Sequence, residues 1–284
     1  MADIKVVTDS TSDLPDDLIQ KMGIRVLPVS IVIDGHSYRD EVDITSDTFY
    51  ENIESYGKVH SQEITYTDYA YIYKELASKH DHLLIIHCSR DVSLTYDNAE
   101  AVHNDFHHTH GSKVALFDSG QCGLGLGMLV LEAAKAVQAG SSFSEVVEMV
   151  NRRIPNIYTY FYVPTLYYLR KGRKISGMKS VLGSAMGISP VLSFEGGSIT
   201  MKGRITREES KVPVQLMEVM QKDLEGHSLH NLGIAHAHAP DLAGRMKELM
   251  FKTFSCDQVY ESYVGTAIGL NTGPGAVGVM CTTK

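Results

Sequence analysis

Along the first half of the chain, short apolar runs alternate with longer mixed stretches. Residues 4–8 (IKVVT), 83–87 (LLIIH) and 114–117 (VALF) are nearly continuous apolar segments of strand length, the pattern of strands buried on both faces. Between them, residues 66–78, 93–107 and 124–139 have helical length and composition. Strands separated by helices of this size predict βαβ units and a parallel sheet. After the first strand comes TDSTSDLP, residues 8–15, in which Asp13 can cap a helix with Pro15 in its first turn and Gly23 at its end. Residues 24–33 are β-rich, and Asp34-Gly35 signals a hairpin.

The second half has a different texture. Residues 158–163, 190–194, 198–204, 232–237, 259–263 and 276–281 read as strands, with a hairpin turn at Glu195-Gly196-Gly197 and helices over 212–224 and 239–251. Consecutive strands here point to α+β organisation. The expected fold is α/β: an N-terminal parallel-sheet domain with flanking helices over residues 1–156, then an α+β domain over 157–284.

Composition narrows the function classes. A hydrophobic share of 43% with 21% charged residues is that of a globular protein. The formal charge of −8 argues against a nucleic-acid footprint and against bulk electrostatic docking on anionic lipid. No apolar run approaches membrane-spanning length. The opening MADIKVVTDS enters a strand without a basic segment and apolar core, so a cytoplasmic protein is expected. Cys88, Cys122, Cys256 and Cys281 are widely spaced, which fits free thiols better than disulfides or zinc. Cys88 falls at a strand end, where structural burial is the expected role.

Three strand ends carry small hydroxyl residues: Thr8-Asp9-Ser10-Thr11, the stretch from Ser89 to Thr95, and Asp118-Ser119-Gly120. Ligands of open parallel sheets collect at such ends, and hydroxyls there present donors to a carboxylate or phosphate. The same residues also serve as ordinary helix caps. Residues 122–127 (CGLGLG) miss the GxGxxG spacing and lead into an apolar helix, so tight helix packing is their expected use. Gly273-Pro274-Gly275 is an anion cradle or a plain turn. His236 and His238 share a face without an evident third ligand, and no metal is expected.

These pieces together resemble the DegV family, and the resemblance runs the length of the chain. It rests on TDSTSDLP at 8–15, YRDEVDIT at 38–45, HSQ at 60–62, SLTY at 93–96 and DSG at 118–120. It continues with LRKGRKIS at 169–176, SPVL at 189–192, GIAHA at 233–237 and NTGPGA at 271–276. Each is weak alone; nine in the family's order are not. The resemblance implies an EDD fold in a bacterial protein of fatty acid metabolism, holding one long-chain fatty acid of the palmitate, stearate or oleate class between its domains. It further implies no cofactor and no catalytic constellation, with a separate fatty acid kinase as the partner that phosphorylates the presented carboxyl. The contrasting reading is a phosphotransferase-type enzyme related to dihydroxyacetone-kinase-like folds, with Asp9 and Asp118 holding magnesium.

The family's head-group residues transfer with changes. Its Thr-Ser-Gln-Pro becomes His60-Ser61-Gln62-Glu63, and its Ser-Gly-Thr-Tyr becomes Ser93-Leu94-Thr95-Tyr96. Its His-Thr-Gly-Pro-Gly becomes Asn271-Thr272-Gly273-Pro274-Gly275, and lysine stands at Lys174, after Arg173, where arginine is expected. The resemblance thus assigns the carboxyl to His60, Ser61, Ser93, Asn271 and Thr272, with His60 supplying the imidazole lost at Asn271. Arg173, Lys174 and Arg207 are expected at the mouth or against a partner, and Asp9, Ser10, Thr95 and Ser119 near the site. Residues 27–33, 160–166 and 181–192, with Ile268 and Leu270, are candidates for the lining, and Met178, Gly183, Ser184, Ala185, Met186 and Gly187 could leave room for the chain. Such a ligand is physically reasonable: burying a palmitate-length chain provides on the order of 10 kcal/mol of gross drive, and a desolvated carboxylate needs donors at the mouth.

Overall fold

The computed structural model describes residues 2–110, 113–175, 187–255 and 258–283. β1 (Ile4–Asp9), β2 (Arg25–Leu27), β6 (His82–His87) and β7 (Val114–Asp118) form an all-parallel sheet in the order β2-β1-β6-β7. Its central strands are apolar without alternation because helices cover both faces. A small antiparallel sheet, β4-β3-β5, is built from β3 (Ser30–Ile33), β4 (His36–Arg39) and β5 (Val59–Gln62). Asp34 and Gly35 make its hairpin turn with φ of 50° and 88°, as a two-residue hairpin requires. The β-rich stretch 24–33 is therefore two strands in two different sheets.

From residue 157 onward a six-stranded mixed sheet takes over, ordered β10-β9-β8-β13-β11-β12. It comprises β8 (Ile157–Tyr162), β9 (Ile188–Glu195), β10 (Ser198–Thr206), β11 (Leu229–His236), β12 (Gln258–Tyr263) and β13 (Val277–Thr283). Only β11 and β12 pair in parallel; the other neighbours are antiparallel. The fold is thus α/β, with a parallel sheet first and an α+β unit after it.

Ten α-helices are described: α1 (Asp16–Met22), α2 (Ser46–Asn52), α3 (Tyr66–Lys79), α4 (Thr95–His110), α5 (Leu124–Gln138), α6 (Phe143–Arg153), α7 (Tyr167–Lys171), α8 (Val212–Asp223), α9 (Pro240–Thr253) and α10 (Thr266–Thr272). Local chemistry sets their ends. Pro15 precedes α1, Asp16 and Asp17 sit in its first turn, and Gly23 closes it at φ 63°. A capping box between Ser142 and Glu145 starts α6. α5 is apolar all round and buried from Leu124 to Leu131, because it packs against strands of both the parallel and the mixed sheet. Its glycines make that fit possible. A Cβ on Gly125 would lie 2.6 Å from the Thr159 hydroxyl, and one on Gly127 would collide with the Ser12 carbonyl. The glycine-rich stretch is a packing surface, as its spacing implied.

Asp13 does not cap α1. It adopts left-handed φ of 48° and sends its carboxyl to the start of α10, where Oδ1 accepts the Gly265 N–H at 3.0 Å. The Glu41 carboxylate accepts the next N–H, from Thr266, at 3.3 Å. Two acidic residues from the first half thus satisfy the free donors of a helix in the second.

Candidate functional site

The carboxyl ends of β1, β6 and β7, the end of β5, the inner face of the mixed sheet and α10 enclose a cavity of about 360 Å³. Its apolar wall includes Val29, Phe161, Phe194, Ile199, Ile268 and Met280. The β9–β10 hairpin tip is tied across to the parallel sheet. Ser89 Oγ donates to the Gly197 carbonyl at 2.7 Å, and Ser198 Oγ donates to Asp91. Of the expected lining segments, Val29, Phe161 and Ile268 reach the cavity, whereas Ile31, Tyr160 and Leu192 are packed in the core and Leu270 is buried off the wall. Met178, Gly183, Ser184, Ala185 and Met186 lie outside the described residues; Gly187 is described and does not line the cavity.

Ser61, Ser93, Lys174, Asn271 and Thr272 all reach this cavity. Each comes from a different local device. Ser93 sits just before α4, where its Oγ accepts the Thr95 N–H at 3.2 Å and donates to Thr95 Oγ1 at 3.1 Å. Asn271 and Thr272 occupy the last turn of α10. Lys174 follows α7, and its ammonium donates to the Val92 carbonyl at 2.6 Å, leaving further N–H directions for a ligand. Arg90 also lines the cavity, but its guanidinium is held by Asp97 at 2.5 Å and Glu100 at 3.1 Å.

His60 is not brought to the cavity. On β5, Ser61 and Gln62 line the cavity, while His60 is exposed and does not. The imidazole expected to replace the one lost at Asn271 therefore points elsewhere. Asn271 spends one of its two amide N–H donors on the fold: Nδ2 donates to the Ala267 carbonyl at 3.2 Å. Its Oδ1 has no partner and abuts Gly172, where any Cβ would collide with it. Of the two cations on the cavity wall, Arg90 is held by Asp97 and Glu100, and Lys174 donates to a carbonyl.

The strand-end group resolves into wiring. Asp9 is fully buried: Oδ2 meets His87 Nδ1 at 2.7 Å and accepts the Cys88 N–H at 3.2 Å, while Oδ1 accepts the Thr11 N–H at 3.0 Å. Burial alone would raise its pKa, yet the bonds from His87, Thr11 and Cys88 hold it below the ordinary value. His87 Nε2 in turn meets the Tyr69 hydroxyl at 3.2 Å. Ser10 accepts the Val29 N–H at 3.1 Å, and Ser119 donates to the Gln121 carbonyl at 3.2 Å. Asp9, Ser10, Thr95 and Ser119 do not line the cavity; Thr11 does. Arg173 is exposed, with left-handed φ of 57°. Arg207 donates from Nε to Ser189 Oγ at 3.0 Å and borders a separate hollow with Tyr167, Arg170 and Lys171. His236 Nδ1 accepts the Ala239 N–H, and His238 pairs with the Tyr263 hydroxyl.

Sequence reasoning missed several cavity residues. Asp13, Cys122 and Thr159 form a polar strip in the wall with Thr11 and Cys88. A hydrogen bond from Cys88 to Cys122 raises the Cys88 thiol well above its ordinary range and lowers that of Cys122. No local pattern announces that strip, because its members come from three strand ends and β8.

A family model described as an uncharacterised protein of the DegV family matches residues 3–284. The chain belongs to the DegV family. Curated DegV relatives include TTE1491 of Caldanaerobacter subterraneus subsp. tengcongensis, 28% identical over the full length of both chains. CA_C3284 of Clostridium acetobutylicum is 29% identical over 99% of this chain and 98% of that one. Among solved structures, the chain is similar to a DegV protein from Thermus thermophilus described by its fatty acid binding, with TM-score 0.90 and 28% identity over 99% of this chain and 100% of that one. It is also similar to DegV of Bacillus subtilis, described as a fatty acid binding protein, with TM-score 0.85, 26% identity and the same coverage. Among the described residues, no helix is long and apolar enough to cross a membrane.

Proposed function

We propose that this DegV protein binds one long-chain fatty acid in its cavity and carries it in the cytoplasm, presenting the carboxyl at the polar mouth. The observation that carries this reading is the cavity itself. It has an apolar body of a volume within the ordinary small-ligand range of about 300–1,000 Å³, and its polar lining includes Ser61, Ser93, Lys174 and Thr272. Lys174 supplies the positive charge and the Ser61 hydroxyl a neutral donor, so the carboxylate exchanges water for a charge-assisted set. The T. thermophilus and B. subtilis relatives support the same ligand class.

In this reading the chain contributes presentation rather than chemistry, and a separate fatty acid kinase acts on the carboxyl. The hollow beside exposed Tyr167, bordered by Arg170, Lys171 and Arg207, supports a docking role. It gathers positive charge on a chain whose net charge is −8. Arg173, on its exposed turn, belongs with that surface.

Native and denaturing mass spectra of freshly purified protein should differ by the mass of one fatty acid. A preparation that holds none and takes up no oleate would sink the carrier reading. Loaded protein mixed with a bacterial fatty acid kinase and ATP should yield acyl phosphate; failure there rejects the partner while leaving lipid binding intact.

A further inference from the structure

Anchoring a carboxyl at the mouth leaves Asp13, away from the head group, without a task. Asp13 is only 8% exposed and lines the cavity. Its Oδ1 is bound to the Gly265 N–H, but its Oδ2 has no hydrogen-bond partner. The direction of Oδ2 follows from its neighbours. A methyl group built on Gly123 would lie 3.5 Å from Oδ2 and 3.5 Å from Ile268 Cδ1, and both Gly123 and Ile268 line the same cavity. Gly265, on the Oδ1 side, does not. One oxygen therefore holds the protein together and the other faces the lumen.

Its distance from the mouth follows from α10. Gly265 precedes the first turn of that helix, and Asn271 and Thr272 end it. Six residues at the α-helical rise separate the two levels by roughly 9 Å. A fatty acid anchored by its carboxyl at Lys174 and Thr272 thus passes Asp13 partway along its chain, well beyond the head group. Gly123 and the Ile268 side chain flank Oδ2, and an unsubstituted chain against them leaves it buried and unsatisfied. Burial raises the Asp13 pKa well above the ordinary value, aided by Cys122, Asp40 and Glu41 nearby. That shift favours the carboxylic acid form, which can donate as well as accept.

Resting on the fatty-acid reading, the geometry points to a ligand of narrower class: a long-chain fatty acid bearing a hydroxyl partway along its chain, which hydrogen-bonds Oδ2 of Asp13. A hydroxyl can accept from Oδ2 when that oxygen carries the proton and donate to it when it does not. A double bond offers no comparable partner. Asp13 would then be a specificity-determining residue. A site that positions a buried polar group for a ligand hydroxyl discriminates against the analogue lacking it.

The test is competition for the purified, delipidated protein between a fluorescent acyl probe and four acids. These are stearate and its isomers hydroxylated beside the carboxyl, at mid-chain and at the far end. The mid-chain isomer should displace the probe about tenfold more effectively than stearate, and the other two isomers should show no such gain. In Asp13→Ala the mid-chain advantage should vanish while stearate still binds. Asp13→Asn, which keeps both an acceptor for Gly265 and a donor toward the lumen, should retain part of it. Equal displacement by stearate and the mid-chain isomer in the unmodified protein overturns the inference, and this arm holds even if Asp13→Ala folds poorly. An advantage that survives in a folded Asp13→Ala overturns it too. If none of the four acids competes, it is the fatty-acid reading itself that has failed.

Discussion

Lys174 and His60 show how the candidate site differs from what the resemblance implied. A lysine ammonium is a compact charge on a flexible stem, without the planar fork of arginine. Placed on the cavity wall and steadied by the Val92 carbonyl, it suits a single carboxylate oxygen. Lys174→Ala should raise the dissociation constant for oleate about tenfold or more, the usual worth of a hydrogen bond to a charged group. His60→Ala should leave it unchanged, since the imidazole is exposed and does not line the cavity. Isothermal titration of both variants checks this, and a large effect of His60 with none of Lys174 would reverse the assignment. The sequence showed that polar residues cluster at 60–62 but not which of them faces inward. A shift of one position along a strand exchanges its two faces, and neither His60 nor Ser61 is apolar enough to choose.

At the scale of elements, α5 and α10 carry the connection between the two sheets. The glycines of α5 let a helix approach the chain at Ser12 and the hydroxyl of Thr159 without intervening side chains. Gly127→Ala, normally a stabilising change within a helix, should here destabilise by about 1–3 kcal/mol, because the neighbour it meets is backbone and must shift. Urea unfolding would show a lowered midpoint; a raised one would mean that α5 is looser than this packing implies. The apolar character of α5 was legible in its sequence. The helix α10 was not: at seven residues it has too little periodicity to read, and two of its capping acids, Asp13 and Glu41, are more than two hundred residues away. The capping box of α6, by contrast, was present as Ser142 and Glu145 and could have been found.

For the whole molecule, the junction at the start of α10 sets a pH dependence. Asp40 is buried, and burial outweighs the contacts that Ser10 and the Ala267 N–H make to its carboxyl. Burial raises its pKa from 3.8 to about 7, with Glu41 and Asp9 adding to the rise. Between those values the folded protein keeps a proton that the unfolded chain releases. Stability therefore falls as pH rises through that window and levels off for Asp40 above it; Asp13, also raised, adds to the fall. Asp40→Asn should stabilise the protein by roughly 2–4 kcal/mol at pH 8 and make little difference near pH 4. Unfolding midpoints measured at both pH values would decide. A wild-type protein equally stable at pH 5 and pH 8 would show that the carboxyl is ionised without penalty.

The chain's own pattern determined that it would form a parallel sheet followed by an α+β half, because buried strands, helix periods and turn residues are local signals. Its motifs, taken in order, determined the family. Which side chains meet in the cavity was decided only by tertiary structure. The wall joins Asp13 to Gly123 and Ile268, and Lys174 to the chain at Val92, across separations that no periodicity spans. Whether a polar residue is a cap, a strut or a ligand contact depends on which partners the fold delivers to it, and short-range sequence holds no record of those partners.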